Sequence, residues 1–498
     1  MIYRTKITID NDYHYQNNFS MLRAVMILTP SMTGIASPDP LQHAFKVKSA
    51  PHAGRGGSRP VFLEPQQWQQ WWQQPSQASE RALYIHIPFC RKRCSFCNFF
   101  ENGTNPERIS RYIKNLTEQL HIAADTPLAQ SRGFNTVYVG GGTPTDISSD
   151  EVKQLGEAIS RFPLVDNAEV TLEGRLNGFD DDKWHNATAN GFNRFSFGVQ
   201  SFDTQVRQAA GRFDDKDFLL NRLNQLSQHP SASIVIDLIF GLPGQTMDIW
   251  QQDLLAVIDS GVHGVDLYQL IGLSGTRIEH AREKGKILGT ALSEFQADSQ
   301  ARANMYATGA NHFESQNWQR LSSCHWRRDS RERSVYNSLA KSGIEILPFG
   351  AGAGGSIHGH GCMNARDLKQ WHRAHDDMLP TEATATSAVA LNPVQVPGML
   401  MSPNPSASLD AIFKRGLDSG QLDLNLLQSP MALHLTPLFN AWRTNGLAEL
   451  TQNQLTLTLA GRFWNVNMQT GLFEFLAENP LQPTANRPQT HSPHAIAS

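Results

Sequence analysis

The sequence of 498 residues has little that is typical of a secreted or membrane-bound protein. It contains only five cysteines, too few for a disulfide-stabilised scaffold in a chain of this length. No apolar run approaches the ~20 residues that cross a bilayer, so we expect no membrane span. The apolar segment Met21–Pro30 is a poor signal peptide, because a long polar stretch precedes it and no small-residue cleavage site follows. We therefore expect a protein of the reducing cytoplasm.

An excess of charge of one sign is also lacking. The formal net charge is −3, and charged residues make up 18% of the chain against 40% hydrophobic residues. This balance is typical of a globular protein and provides no broad basic surface for nucleic acid. No internal repeat or heptad pattern is visible, which argues against a solenoid and a coiled coil. At roughly 100–200 residues per domain, the length allows two to four domains.

What is present is a regular alternation of β-rich and amphipathic segments from residue 80 onward. Between the β-rich runs lie helix candidates, of which Pro106–Ala123 is the clearest. Six such units predict an α/β fold with a parallel sheet, open or closed into a barrel, in which ligands bind at the carboxyl ends of the strands. The strand candidates are Ala82–Ile87, Thr136–Val139, Glu169–Leu172, Arg194–Val199, Ser233–Phe240 and Val265–Leu270.

The densest group of reactive side chains follows the first strand candidate. Residues 87–97 read IPFCRKRCSFC and carry Cys90, Cys94 and Cys97. Three thiolates on a [4Fe–4S] cluster leave one iron open to a small molecule. The three basic residues after Cys90 are expected to lower the pKa of the thiols and to stabilise an anionic cluster. On spacing alone, a zinc site with His86 as fourth ligand, or free thiols, remain alternatives.

The motif C-x3-C-x2-C after a first strand resembles the signature of radical S-adenosylmethionine (SAM) enzymes. The longer run YIHIPFC is similar to the subfamily of oxygen-independent coproporphyrinogen oxidase (HemN-like), and the likeness extends over residues 80–360. The resemblance implies a partial (β/α)6 barrel with a small, mainly helical C-terminal domain. It also implies that the cluster reduces SAM, which cleaves to methionine and a 5′-deoxyadenosyl radical.

The same resemblance implies the contacts to SAM. Without the resemblance, the glycine triplet at 140–142 could simply form a tight turn between a strand and a helix. A glutamate at the end of a strand, such as Glu173, is more often exposed to solvent than functional. The family pattern continues with Asn-Pro after this glutamate, whereas this chain reads Gly-Arg-Leu-Asn. Positions matching Gln200, Arg212 and Asp237 contact a second SAM in the subfamily, so we expect two molecules, one the radical source and one the methyl donor. The residues assigned to the cofactor are Tyr84, Phe96, Gly141, Gly142, Thr143, Glu173, Gln200, Arg212, Asp237 and Ile271.

The substrate side is expected in the region that departs from the family. Cys324 and His325 are candidate catalytic residues, and Cys324 and Cys362 are each a candidate hydrogen donor to a substrate radical. His358 and His360 alternate with glycine and are candidate haem-iron ligands, or exposed loop histidines. Four arginines within residues 327–333 would either pair with propionates or form a solvated basic segment.

Three stretches of sequence are similar to the haem-utilisation branch (ChuW/HutW type): RKRCSFCNFFENG, TLEGRLNGFDDDKW and CHWRRDSRERSVYNS. The resemblance implies a methyltransferase that opens the haem macrocycle anaerobically and releases iron. It also implies an electron donor such as flavodoxin or a flavin reductase. The alternatives are an oxygen-independent coproporphyrinogen III oxidase, a non-catalytic haem chaperone and, more distantly, a structural zinc protein.

The domain organisation follows from composition and from the resemblance. The predicted units are an irregular extension at 1–75 with a docked tryptophan-rich helix, a radical SAM core at 76–312 and a barrel-closing, substrate-side segment at 313–375. They continue with a linker at 376–405, a helical domain at 406–476 with a hairpin formed by Leu455–Leu459 and Phe463–Val466, and a disordered tail at 477–498.

Overall fold

The computed structural model describes residues 26–49, 58–97, 102–270, 298–376 and 394–481. The strands are β1 (Arg81–Ile87), β2 (Phe89–Cys90), β3 (Asn102–Gly103), β4 (Phe134–Gly141), β5 (Leu164–Gly174), β6 (Arg194–Gln200), β7 (Ser233–Phe240), β8 (Gly264–Gln269), β9 (Gln319–Arg320), β10 (His325–Arg327), β11 (Glu345–Phe349), β12 (Gly354–Ile357), β13 (His360–Met363), β14 (Met399–Met401), β15 (Gln421–Asp423), β16 (Ala448–Leu450) and β17 (Gln454–Leu457).

The helices are α1 (Pro30–Thr33), α2 (Pro40–His43), α3 (Pro65–Trp72), α4 (Pro106–Ala124), α5 (Pro127–Gln130), α6 (Ser149–Ile159), α7 (Asp181–Ala189), α8 (Thr204–Ala210), α9 (Lys216–Ser227), α10 (Met247–Asp259), α11 (Ser299–Ser315), α12 (Val335–Ala340), α13 (Leu368–Asp376), α14 (Ala407–Ser419), α15 (Ser429–Thr444), α16 (Leu459–Phe463) and α17 (Asn465–Glu478), with 3-10 turns at Pro144–Asp146 and Leu424–Leu426.

A 12-stranded sheet forms the body, in the order β14-β13-β12-β11-β1-β4-β5-β6-β7-β8-β10-β9. The pairs from β11 through β1 and β4 to β8 are parallel, and the strands beyond β11 and β8 pair antiparallel. The expected α/β fold built on a partial parallel barrel is therefore confirmed. All six strands expected from the sequence lie in this parallel set, and β11 adds a further parallel strand that the sequence did not reveal.

The helices that cover the strands begin and pack as their local sequence predicts, and α4 is an example. Asn105 caps its first turn by accepting a hydrogen bond from the backbone N–H of Arg108, and Pro106 occupies the first helical position, where no N–H is needed. Apolar residues at helical spacing, among them Ile113 and Leu120, are almost fully buried. The same face that the sequence predicted is therefore the one packed on the sheet.

The two faces of the parallel strands differ in chemistry. Tyr84, Tyr138, Thr171, Arg194 and Ser233 are register partners across five adjacent strands, so their side chains share one face. This row points into the barrel, which consequently has a polar lumen. The residues next to them in sequence form the apolar outer face, which is fully buried beneath the helices; examples are Leu83, Ile85, Val137, Val139, Leu172 and Ile234.

A buried network of charges closes the amino-terminal end of the barrel. Glu332, which is 0% exposed, inserts from the loop after β10 and pairs with Arg194 (Nε–Oε2 3.0 Å). His325 lies 3.3 Å from Glu332 and 2.8 Å from Asp266. Burial disfavours the charged imidazole, but the two carboxylates outweigh it and raise the pKa of His325 to about 10. His325 is thus a charged structural residue at neutral pH.

The C-terminal unit combines α14, α15, α16 and α17 with the small sheet β15-β17-β16. The N-terminal segment packs on it: Trp442 Nε1 donates to the Met32 carbonyl (2.8 Å) and Trp464 Nε1 to the Leu41 carbonyl (2.8 Å). The described part of the N-terminal extension is therefore ordered by these contacts. In α3, the tryptophan-rich helix, Trp68 and Trp72 are each 2% exposed.

Some expectations at the C-terminal end were wrong. β17 pairs with β16 rather than with residues 463–466, which are helical. The reason is local, because the Thr458 hydroxyl accepts a hydrogen bond from the Gly461 N–H and caps α16.

Two segments expected to be irregular contain regular structure. Within the expected linker, β14 adds to the edge of the large sheet, and α17 continues into the expected tail as far as Glu478. Residues 377–393 and 482–498 lie outside the described residues. Across the described ranges, no helix is long and apolar enough to cross a membrane.

Replacement of Glu332 by alanine tests the charge network. The change leaves Arg194 and His325 buried without their shared partner, so we expect a loss of about 3–5 kcal/mol in the free energy of unfolding. Urea denaturation measures this loss. The control is Glu157→Ala, which removes an exposed pair with Lys153 and should cost at most about 1 kcal/mol. Equal losses in the two variants would contradict a stabilising role for the network.

Candidate functional site

The three cysteines of the sequence motif lie in one loop at the carboxyl end of β1. Cys90 is 5% and Cys94 3% exposed, and Cys97 is partly buried. The Ser95 N–H donates to the carbonyl of Ala210 (3.2 Å), which fastens the loop to the end of α8. The loop is therefore fixed between β1 and α8, with its thiols turned away from bulk solvent.

Two side chains donate to the sulfur atoms. The Thr143 hydroxyl donates to Cys90 Sγ (3.3 Å), and Arg175 Nη2 lies 3.5 Å from Cys94 Sγ. Burial raises the pKa of the Cys90 thiol, although Thr143 and Arg175 oppose this. Hydrogen bonds to the cysteine sulfurs would tune the reduction potential of a bound iron–sulfur cluster. Arg175 lies in the stretch where this chain departs from the family pattern, and sequence reasoning missed its role.

Two of the basic residues between the cysteines, Arg91 and Lys92, contact groups other than the thiols. Arg91 pairs with Asp146 (2.6 Å), and the Lys92 ammonium lies 3.8 Å from the centre of the Phe213 ring. Both side chains thus have described partners other than the thiols. The prediction that they lower the thiol pKa was therefore wrong for Cys90, because burial dominates there.

A zinc site receives no support from the geometry. Among the residues that the structure describes, no three His, Cys, Asp or Glu side chains converge on one metal position. The proposed fourth ligand, His86, instead has its Nδ1 2.9 Å from the Tyr84 hydroxyl. The cysteines of a [4Fe–4S] cluster bind different irons and need not converge on a point, so the arrangement fits a cluster better than a single ion.

Beside the thiols lies a cavity of about 150 Å³ at the carboxyl ends of the parallel strands. Tyr84 is not part of its wall, since it packs against Tyr138 and Tyr336 inside the barrel. Ile271 lies outside the described residues. The predicted residues that do line the cavity are Cys90, Cys94, Phe96, Cys97, Gly141, Gly142, Thr143, Glu173, Gln200, Arg212 and Asp237.

The glycine turn after β4 lets the backbone approach the cysteine loop closely. A Cβ atom on Gly142 would lie 2.6 Å from the carbonyl oxygen of Phe89, so only glycine fits. Gly141 has φ +120° and donates its N–H to Glu173 Oε2 (3.3 Å). Burial raises the pKa of Glu173 to about 7, against the effect of that hydrogen bond. The altered sequence after Glu173 thus leaves its carboxylate in the cavity.

Gln200, Arg212 and Asp237 bring polar groups to the cavity. Gln200 has φ 75°, a strained conformation for a residue with a Cβ, and sits at a register shift between β6 and β7. Its Oε1 and the Nε of Arg212 are buried without a hydrogen-bond partner in the described structure. Burial, together with Asp266 and Glu173, raises the pKa of Asp237 to about 8. Unsatisfied donors and acceptors in a cavity fit a polar ligand such as SAM.

A second, larger cavity of about 880 Å³ lies between the β8 edge of the barrel and the C-terminal unit. Cys324, His325 and Asp266 form part of its barrel side. Asp266 is the register partner of Asp237, which lines the cofactor cavity, so the neighbouring strands β7 and β8 contribute one carboxylate to each cavity. Of the four arginines at 327–333, Arg333 lines the cavity, whereas the others pair with neighbouring residues in their own loop or strand.

His358 and His360 lie at the opposite edge of the sheet, on β12–β13. His358 Nε2 is 3.0 Å from the Trp71 carbonyl, and the His360 ring centre is 4.5 Å from that of Trp71. Neither histidine lines either cavity. The structure therefore does not bring these candidate iron ligands to the site.

Comparison with known proteins agrees with this geometry. Residues 84–256 match the model of the Radical SAM superfamily. Over 423 residues, 84% of this chain and 90% of the relative, the chain is 34% identical to anaerobilin synthase of Escherichia coli O157:H7. This chain belongs to the anaerobilin synthase family of radical SAM enzymes. The family recognised from the sequence motifs is thereby confirmed.

Two other proteins are less similar to this chain than that anaerobilin synthase is. The heme chaperone HemW of Bacillus subtilis is 27% identical over 294 residues, 58% of this chain and 75% of that protein. The solved coproporphyrinogen III oxidase HemN of Escherichia coli superposes with a TM-score of 0.66 at 21% identity, covering 83% of this chain and 94% of that one. That likeness establishes the fold alone. Radical SAM membership implies a [4Fe–4S] cluster and SAM.

Cysteine variants test the assignment of the cluster. Cys90→Ala, Cys94→Ala and Cys97→Ala should each lose reductive cleavage of SAM, because each removes an iron ligand. Cys324→Ala and Cys362→Ala are the controls and should keep about four irons and four sulfides per chain. Iron and sulfide analysis after anaerobic purification measures the cluster directly. A complete, active cluster in any of the first three variants would contradict the assignment.

Proposed function

We propose that this radical SAM enzyme opens the haem macrocycle without oxygen, with methyl transfer from SAM, and releases the iron. The observation that carries the proposal is a large cavity whose wall residue Asp266 is the register partner of Asp237 in the wall of the cofactor cavity. A cavity of about 880 Å³ at that place can hold a substrate of tetrapyrrole size next to the cofactor.

On the cofactor side, residues of the chain suit both the cluster and SAM. Cys90, Cys94 and Cys97 would hold the cluster, and when bound, the cluster and SAM supply a carbon-centred radical. The Gly141 turn and Glu173 would hold the methionine end of SAM through backbone amides and a carboxylate. We propose a second SAM at Gln200, Arg212 and Asp237, since all three line the cofactor cavity and buried polar atoms of Gln200 and Arg212 lack partners in the described structure. The second molecule would serve as the methyl donor.

On the substrate side, the cavity combines flat aromatic walls with free cations. Tyr268, which is 43% exposed, offers a ring face to a planar macrocycle. Arg333, Lys414 and Arg415 line the cavity and have no acidic partner among the described residues. Two propionates on an apolar disc match this pattern of cations and aromatic rings.

The other segments of the chain and an electron donor would each have a part in this reaction. The core at 76–312 would generate the radical, the segment at 313–375 would supply the substrate side, and the helical domain at 406–476 would cover the macrocycle. A flavodoxin or flavin reductase of the cytoplasm would deliver the electron.

An anaerobic reaction with haem, SAM and a reductant tests the function. We expect loss of the haem absorbance, release of iron and a methylated linear tetrapyrrole in the mass spectrum. Intact haem at the end of the reaction would instead favour a haem chaperone. Conversion of coproporphyrinogen III to protoporphyrinogen IX in a parallel reaction would favour the oxidase.

Loss of two cations tests the cavity as the haem site. Lys414→Ala combined with Arg415→Ala removes two partners for propionates, so haem affinity should fall by about 10-fold or more, at roughly 1.4 kcal/mol per factor of ten. Absorbance titration with haem measures the dissociation constant. Lys369 is an exposed residue of α13, so Lys369→Ala is the matched control and should leave the dissociation constant unchanged. Equal affinity in the double variant and the wild type would place haem elsewhere.

A further inference from the structure

Cys324 is a thiol in the large cavity that neither the cluster nor the charge network uses. Its carbonyl accepts from the Leu267 N–H (2.7 Å), so β8 fixes its backbone. Its Sγ lies 3.9 Å from Asp266 Oδ1 and 3.5 Å from the Ser322 hydroxyl. Because Asp266 pairs in register with Asp237, Cys324 stands close to the boundary between the cofactor cavity and the large cavity.

The environment of Cys324 keeps the thiol protonated. Burial raises its pKa to about 12, and the Asp266 and Asp418 carboxylates act in the same direction. A thiol of this kind is a poor nucleophile and a poor metal ligand, since both roles require the thiolate. It retains an S–H bond at neutral pH.

A second residue indicates that a ligand comes to this part of the cavity. Lys48 reaches it from the N-terminal segment, with its ammonium 4.2 Å from the centre of the Phe463 ring and 5.3 Å from that of Trp464. No described carboxylate pairs with it. Burial lowers the pKa of Lys48 to about 7, so an anionic group of a ligand placed beside it would stabilise its charged form.

We propose that Cys324 is the hydrogen-atom donor that quenches the tetrapyrrole radical after ring opening, while Lys48 holds a propionate of the same molecule. The proposal rests on the proposed function. The C–H bond that forms takes the hydrogen atom of the S–H bond that breaks, and the unpaired electron moves to sulfur. The thiyl radical then takes one electron from the low-potential protein donor that reduces the cluster, and one proton from water, which restores the thiol.

Reaction in D2O tests the transfer, because the thiol hydrogen exchanges with solvent while carbon-bound hydrogens of haem and SAM do not. The wild-type product should carry solvent deuterium at the quenched carbon. Cys324→Ser should lose that deuterium or stop forming the linear product, while still cleaving SAM to 5′-deoxyadenosine. Cys362→Ser is the matched control, since this buried thiol (6% exposed) lies on β13 and lines neither cavity.

The results separate the two proposals. A Cys324→Ser enzyme that makes the deuterated product as the wild type does would overturn the role of Cys324 and leave the haem reaction standing. A wild-type enzyme that consumes no haem would overturn the proposed function itself.

Haem titration provides a readout that does not depend on turnover. Lys48→Ala should raise the dissociation constant of haem in an absorbance titration, because it removes the cation proposed for a propionate, whereas Lys369→Ala should not. Cys324→Phe adds bulk to the cavity wall and should also weaken haem binding, whereas Cys362→Phe should not. Unchanged haem affinity in both Lys48→Ala and Cys324→Phe would contradict the place of these residues at the substrate.

Discussion

The arrangement of this enzyme depends on the alternation of side chains along parallel strands held in one register. Because successive residues of a strand point to opposite faces, a polar residue at every second position lines the barrel, and the residues between them form the core under the helices. Tyr138, Glu173 and Asp237 all belong to the inner set. A shift of one residue in any pair would bury the polar set against helices and point the apolar set into the lumen.

A polar lumen needs charge compensation, and the two ends of the barrel provide it differently. At the amino-terminal end, Arg194, Glu332 and His325 form ion pairs with one another and compensate each other's charge. At the carboxyl end, Gln200 and Arg212 keep unsatisfied buried atoms. A protein that leaves such atoms unpaired places them where a ligand completes the hydrogen bonds. The asymmetry locates the chemistry at the carboxyl end.

Part of this was accessible from the sequence. The strands were predicted because β-rich runs of the right length recur between amphipathic helices, and Ser233–Phe240 even has the predicted bounds. The spacing of Cys90, Cys94 and Cys97 predicted a cluster loop, and the glycine turn and Glu173 lie where the motifs placed them. Arg175 was missed because its role depends on distance to Cys94 and not on any motif. Lys48 was missed because a segment remote in sequence carries it to the cavity.

The sequence by itself determined the parallel strands, the three thiols and the family, because these are properties of short-range periodicity and spacing. Only the tertiary structure decided which of the later residues share a site. Cys324 and His358 look equally suited to chemistry along the chain, yet one lines the large cavity and the other packs on Trp71 at the far edge of the sheet. The physical reason is that the order of strands in the sheet, and not their order in the chain, sets the distance between side chains.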